Sequence, residues 1–173
     1  MTLTSDLTAA TTDTATLSSA DLLRRTLRRH AAGVTVLTVP GPAGFTATSF
    51  TSVSLEPALV SFYLSTTAST VGAVLDADVF AVHVLGERQH AIAERFARSG
   101  VDRFAGTGWS PGPEGVPLLD GVPAWLTARP VLRQEVGDHL LVVGEVLDAG
   151  GDGGAGLPLL HHGGAFGAFR RLD

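Results

Sequence analysis

The chain has 173 residues, a formal net charge of −5, 45% hydrophobic and 17% charged residues, the profile of one globular domain able to bury about 70% of its unfolded surface. The acidic balance removes the basic footprint that nucleic-acid binding needs, and no polybasic segment addresses an anionic membrane, so neither is an expected partner. There is no Cys, and all twelve cations are Arg, which excludes disulfides, thiolate nucleophiles, cysteine-held metal sites, Schiff-base lysines and the Walker lysine.

Residues 1–18 read as a Thr/Ala/Ser-biased tail with too little large apolar surface to order itself, ahead of one domain over 19–173. The tail carries acids and threonines where a signal peptide has a basic start and an apolar run, and no segment reaches transmembrane length, so a cytoplasmic protein is expected. Ser19 is placed to cap a helix over 20–31, with Leu22, Leu23 and Leu27 on one side and Arg24, Arg25, Arg28 and Arg29 as a solvated face. VTVLTV (34–39), a PGPAG turn and FTAT (45–48) predict a hairpin.

ALVSFYL (58–64) and VFAVHVL (79–85) are nearly continuous in apolar content, the pattern of strands buried on both faces. Between them Ser69 or Thr70 caps a short helix ending at 76–78. Ile92 and Phe96 at helical spacing, with Gly100 as terminator, predict a helix over 89–100. After a Pro/Gly-rich loop, residues 124–135 and 139–149 form a long hairpin about the turn VGD. Strands in hairpins with short connecting helices imply a mainly β fold, an antiparallel barrel or sandwich, in preference to a doubly wound parallel sheet.

Two motif matches lack their context. GDGGAG (151–156) satisfies G-x-G-x-x-G after a strand, but a Pro follows where a helix should extend. GWSPG (108–112) matches G-x-S-x-G within a loop composition, without the strand-to-helix turn that exposes a nucleophile. His161 and His162 are adjacent and would point to opposite faces of a strand, and His83 lies inside a buried strand as a satisfied core residue, so no metal site is expected. His139, after Gly137 and Asp138 at a hairpin mouth, can either close the strand by hydrogen bonding or face a cavity with one ring nitrogen.

The most unusual stretch is TATSFTSVS (46–54), with six hydroxyl side chains in nine residues and no charge. Ser does not favour a strand and competes with its ladder. Such a run lets the backbone approach a flat heteroaromatic ring closely. A second cluster, STTAST (65–70), precedes a helix N-terminus, where it can cap the helix or seat a phosphate. Together they describe a ring pocket and a phosphate seat for one ligand.

GFTATSFTSVSLEPALVSFYLS, STVGAVLDADVFAVHVLGERQHAIAERFA, VDRF, PLLDGVPAWLTAR and EVGDHLLVVGEV together resemble, in order and spacing, the flavin reductase-like family with the FMN-binding split-barrel fold. The resemblance spans residues 22–169 and rests most on T-x-x-S-F-x-S-V-S-L-x-P and the G-D-H turn. It implies a homodimer of antiparallel Greek-key split β-barrels with flavin near the dimer interface. Carried over by position, it puts Thr46, Ala47, Thr48 and Ser49 along the isoalloxazine edge with Ser52, Val53 and Ser54 beside it. Ser65, Ser69 and Thr70 then hold the phosphate region, and Phe96, Ala97, Arg98 and Arg103 lie toward the ribityl and adenine end. His139, backed by Asp138, faces the nicotinamide, and Phe166 offers a stacking surface for it. Glu56, Pro57 and Ala58 stand where many relatives have a double proline.

The implied activity is reduction of free FAD or FMN by NADH, with reduced flavin supplied to a flavin-dependent monooxygenase, and an antibiotic biosynthetic setting is one expectation. FAD is favoured over FMN by that resemblance. Hydride transfer between two stacked rings needs proximity and orientation more than a side-chain acid, which suits a stretch without titratable groups. A flavin-binding electron carrier without NADH turnover is the alternative. A pyridoxamine phosphate oxidase-like use of the barrel is disfavoured by sparse basic residues and the lack of lysine.

Overall fold

The computed structural model describes residues 17–151 and 156–172. Residues 1–16 of the expected tail lie outside this range. Among the described residues, twelve strands and three α-helices follow in chain order: α1 (Ser19–Leu27), β1 (Ala32–Gly33), β2 (Thr35–Val39), β3 (Ala43–Ala47), β4 (Thr51–Leu55), β5 (Ala58–Ser65), α2 (Val71–Asp76), β6 (Phe80–Val84), α3 (His90–Ala97), β7 (Trp109–Pro111), β8 (Pro117–Leu119), β9 (Ala124–Val136), β10 (His139–Gly150), β11 (Leu159–His162) and β12 (Ala165–Ala168).

Seven strands form one sheet in the order β3-β2-β6-β9-β10-β5-β4, flanked by a β1-β11-β12 sheet and a β7-β8 pair. The pairings within these sheets are antiparallel. The chain is therefore mainly β, as expected, and not doubly wound. Phe45 on β3 and Phe62 on β5 meet at a centroid distance of 5.8 Å although their strands lie near opposite ends of the sheet order. The sheet thus curls on itself around an apolar core. Phe62 also packs edge-on against Phe80 at 5.2 Å, and both rings are 1% exposed, each burial worth about 1.5–3 kcal/mol.

The two hairpins form as expected. Thr35 pairs with Ala47 at the open end of the first. In the second, Gly137 sits in the turn at φ +62°, a backbone conformation that glycine adopts without cost. Pro130 lies within β9, a central strand, and lacks an N–H for the ladder. The pairing steps from Leu132 opposite Val143 to Pro130 opposite Gly144, so Val131 is an extra residue that absorbs the break and bends the strand.

Several local expectations need correcting. The first helix is capped by Ser18, whose Oγ accepts from the Asp21 N–H at 3.2 Å, and it ends at Leu27. Thr70 occupies the N-cap of α2 but makes no side-chain capping bond. Tyr63 is 44% exposed, so β5 is not buried on both faces, whereas β6 is buried through its first four residues. The Pro/Gly-rich loop contains the β7-β8 pair. Ser110 of GWSPG lies within β7 and pairs with Leu118, outside any nucleophile elbow. After GDGGAG, of which residues 152–155 lie outside the described range, the chain enters β11 and not a helix.

A second core, with Val34, Val36, Leu85, Phe96 and Leu159, lies between the sheet and α3. His83 connects β6 to its surroundings as a fully buried residue. Its Nδ1–H donates to the Val36 carbonyl at 3.0 Å and its Nε2 accepts from the Leu119 N–H at 3.1 Å. Desolvation lowers its pKa to about 4, partly opposed by the bond to Val36. It is a neutral, satisfied core histidine, in agreement with the sequence reading.

Candidate functional site

The hydroxyl-rich stretch is only partly strand. β3 ends at Ala47, and β4 begins at Thr51. In the gap, the Ser49 hydroxyl accepts from the Tyr63 N–H at 3.0 Å and donates to the Tyr63 carbonyl at 3.1 Å. It therefore does for β5 what a strand backbone would do. The Thr46 hydroxyl donates to the Ala93 carbonyl at 2.6 Å and anchors β3 to α3. Two of the hydroxyls thus hold the wall together, and the N–H groups of Thr48 and Ser49 find no acceptor among the described residues.

Around this gap lies a cavity of about 390 Å³. It joins Thr46, Ala47, Thr48 and Ser49 with Ser65, Ser69 and Thr70 before α2, Phe96 and Ala97 at the end of α3, Arg103 in the following loop, and His139 at the start of β10. These are residues proposed from sequence, brought from five separate segments to one place. Phe45, Tyr63, Leu64, Ala68 and Ser99 complete the lining. Sequence reasoning missed them. Tyr63 and Leu64 belong to the strand tied to Ser49, and their apolar run signals core before it signals a site.

The other candidates lie elsewhere. Ser52, Val53 and Ser54 sit on β4 at the sheet edge, where Val53 is 53% exposed and the Ser54 hydroxyl accepts from the Glu56 N–H at 3.2 Å. Arg98 contributes its carbonyl, which accepts from Arg103 Nε at 2.8 Å. Its side chain does not line the cavity. Phe166, on β12, packs against the second core and meets the His161 ring at 5.8 Å.

Arg103 is the cavity's one guanidinium. Its Nη1 donates to the Gly44 carbonyl at 2.8 Å, and its Nη2 makes a long 3.5 Å contact with the Ser69 hydroxyl. All its partners are neutral, so among the described residues its charge has no carboxylate to balance it. Partial burial lowers its pKa, yet an arginine starts so high that it stays cationic at neutral pH. An anion would complete this end.

Also on the lining, His139 Nδ1 lies 2.7 Å from Asp138 Oδ1. This hydrogen bond, and then the charge of His139, holds the Asp138 carboxyl below the usual carboxylate range, with a small contribution from Arg24. With Nδ1–H given to the carboxylate, Nε2 remains for a ligand. The Thr66 N–H and hydroxyl both donate to the Asp138 carbonyl, at 3.0 and 3.1 Å. The hairpin mouth is thereby fastened to the second hydroxyl cluster. Among the described residues no group of three or more His, Cys, Asp or Glu could hold a metal ion, and no helix is long and apolar enough to cross a membrane.

The family model of the flavin reductase like domain matches residues 27–170, nearly the whole chain. The chain belongs to the flavin reductase like family. Among the relatives of this flavin reductase like protein, a Rhodococcus erythropolis protein named NADH:FMN oxidoreductase is 46% identical over 165 residues, covering 91% of this chain and 86% of its own. The FMN reductase (NADH) SmoA of Agrobacterium fabrum is 40% identical over 86% of this chain and 85% of its own. The solved structure of the Streptomyces globisporus C-1027 NADH:FAD oxidoreductase SgcE6 in complex with NAD and FAD fragments is 39% identical. It covers 88% of this chain and 93% of its own with a TM-score of 0.82. The family's split-barrel fold is thus the fold of this chain.

Proposed function

We propose that this protein is an NADH-dependent flavin reductase that reduces free FMN or FAD and releases the reduced flavin to a partner monooxygenase. The observation that carries this reading is the convergence of Thr46–Ser49, Ser65, Ser69, Thr70, Phe96, Ala97, Arg103 and His139 on one cavity whose lining holds no carboxylate. Relatives named NADH:FMN oxidoreductase, FMN reductase (NADH) and NADH:FAD oxidoreductase support the choice of donor and acceptor.

The donor set fits a flavin. Thr48 and Ser49 offer unpaired backbone N–H groups and Thr48 a hydroxyl along one wall, suited to the polar edge of a heteroaromatic ring. Arg103 and Ser69 meet at another wall, suited to the ribityl phosphate common to FMN and FAD. A bound flavin would supply the hydride acceptor for the reaction NADH + H⁺ + oxidised flavin → NAD⁺ + reduced flavin. The protein's part is to hold two rings face to face and exclude water, which calls for shape and neutral hydrogen bonds. His139, oriented by Asp138, presents Nε2 to the nicotinamide carboxamide. Ser52, Val53 and Ser54 lie on β4, which pairs with β5, the strand that carries Tyr63 and Leu64 of the lining.

The supply of reduced flavin to an oxygenase is supported by relatives that are reductase components, such as that of the flavin-dependent trigonelline monooxygenase of Acinetobacter baylyi and BorF of a bacterial two-component tryptophan halogenase. A homodimer is supported by exposed Val53 and Leu55 on β4 and Tyr63 on β5, the last two strands of the large sheet, an apolar surface suited to a second copy. The cytoplasm, where reduced nicotinamide coenzyme is made, is the setting we assign.

The test mixes purified protein, NADH and excess FMN or FAD and follows the loss of nicotinamide absorbance. Flavin-dependent consumption of NADH supports the reading. Tight flavin binding without consumption identifies an electron carrier instead.

A further inference from the structure

The turn between β9 and β10 consists of Gly137 and Asp138, after which His139 enters the ladder opposite Val136 on one side and Ser65 on the other. The local chemistry of this tip gives little rigidity. Gly137 stands at φ +62°, the Asp138 side chain is 92% exposed and that of His139 45%. At such exposure water competes with the bond between the Asp138 carboxylate and Nδ1, so that bond alone is a weak guide for the imidazole.

The stronger restraint comes from the second hydroxyl cluster. The N–H and the hydroxyl of Thr66 both donate to the Asp138 carbonyl, at 3.0 and 3.1 Å, and so use both lone pairs of one oxygen. That oxygen belongs to the planar peptide unit joining Asp138 to His139. Two donors on it fix the plane, and with the plane the directions in which both side chains leave the backbone. The neighbouring hydroxyls have other duties. Ser65 Oγ and Thr67 Oγ1 bond each other at 2.9 Å, and Ser69 contacts Arg103. Ser65, Ser69 and Thr70 line the flavin cavity, whereas Thr66 is not among its lining residues. Neither capping of α2, whose N-cap is Thr70, nor contact with a ligand accounts for the Thr66 hydroxyl.

We propose that Thr66 is a positioning residue for hydride transfer, holding the Asp138–His139 peptide unit so that the imidazole stays aimed into the flavin cavity. The inference rests on the flavin reductase reading and deepens it. Thr66 touches neither ring and acts through His139. The turn that brings Ser65 and Ser69 to the cavity therefore also sets the direction of the histidine at its mouth, and one segment serves both sides of the reaction.

The experiment uses Thr66→Val, which keeps the shape and the N–H bond and removes the hydroxyl bond, and Thr66→Ser, which returns a hydroxyl. In anaerobic stopped-flow reduction of FMN by NADH, Thr66→Val should slow hydride transfer about three- to tenfold, the range of one neutral hydrogen bond. The FMN Kd should stay within about twofold, and Thr66→Ser should recover most of the rate. In a His139→Ala background Thr66→Val should have no further effect, because the group it positions is gone. Nitrogen-15 spectra of the imidazoles in mildly alkaline buffer give a readout that needs no NADH. The His139 signal, assigned by its loss in His139→Ala, should report the Nδ1–H tautomer in the unmodified protein and a mixture of tautomers in Thr66→Val. An unchanged hydride-transfer rate in Thr66→Val overturns the proposal. So does a full additional loss in the His139→Ala background, or a fall in FMN affinity that matches the fall in rate, since either marks a general structural role. Should the unmodified protein fail to oxidise NADH at all, the flavin reductase reading is overturned, and the tautomer spectra still decide whether Thr66 orients His139.

Discussion

Arg103 donates from Nη1 to the carbonyl of Gly44 at 2.8 Å, joining the loop after α3 to the start of β3. With Nε on the Arg98 carbonyl, the guanidinium is held in one plane, and its Nη2 keeps protons to offer. Arg103→Ala should weaken flavin binding about 10- to 100-fold, the range for a hydrogen bond to a charged group. Arg103→Lys keeps the charge and loses the fork, so it should fall between. Fluorescence titration of FMN reads both. Equal affinity in all three proteins would remove the phosphate role.

Gly44 has a second duty. A Cβ there would stand 2.7 Å from the Leu37 carbonyl and 2.9 Å from Phe96 Cε1, and the phenyl ring is fully buried with little freedom to retreat. Gly44→Ala should cost about 1–3 kcal/mol of stability and shift α3 away from the cavity. Urea denaturation measures the first effect. A variant as stable as the parent would show that α3 is not packed as tightly on β3 as described.

His139→Ala should slow reduction by NADH on the order of 10- to 100-fold through loss of ring alignment, with flavin affinity retained. Asp138→Asn should act in the same direction and less strongly, because it removes the group that orients the imidazole and leaves the imidazole itself. Stopped-flow reduction under anaerobic conditions separates the two. Unchanged rates in His139→Ala would exclude it from the reaction.

His83 sets an acid limit on stability. Its folded pKa, about 4, lies below the ordinary 6.5, so the unfolded chain binds the proton first as pH falls. Its contribution is complete above pH 6.5 and is lost as pH drops toward 4, in total about 3 kcal/mol. Urea midpoints at pH 7 and pH 5 should differ accordingly. In His83→Leu the pH dependence over this window should shrink, even though the orphaned Leu119 N–H lowers stability throughout. An unaltered slope would assign the effect to other groups.

Most of the fold is readable because its strands carry long apolar runs and its hairpins turn at glycines, as at Gly137 with its positive φ. The site was readable at a coarser level. Hydroxyl clusters, an arginine and a turn histidine stood out by their chemistry, and tertiary packing brought them together. What stayed hidden was which hydroxyls serve the wall and which face inward. Thr46 and Ser49 find partners on α3 and β5, contacts that depend on where distant segments pack and have no local signal.

The most direct measurement of the central claim is a crystal structure of the protein soaked with FMN or FAD. The account predicts the flavin ring against Thr46–Ser49, its phosphate at Arg103 and Ser69, and His139 open toward the exposed ring face. A flavin bound elsewhere, or a cavity closed by Tyr63 and its neighbours with no ligand in it, would contradict the account.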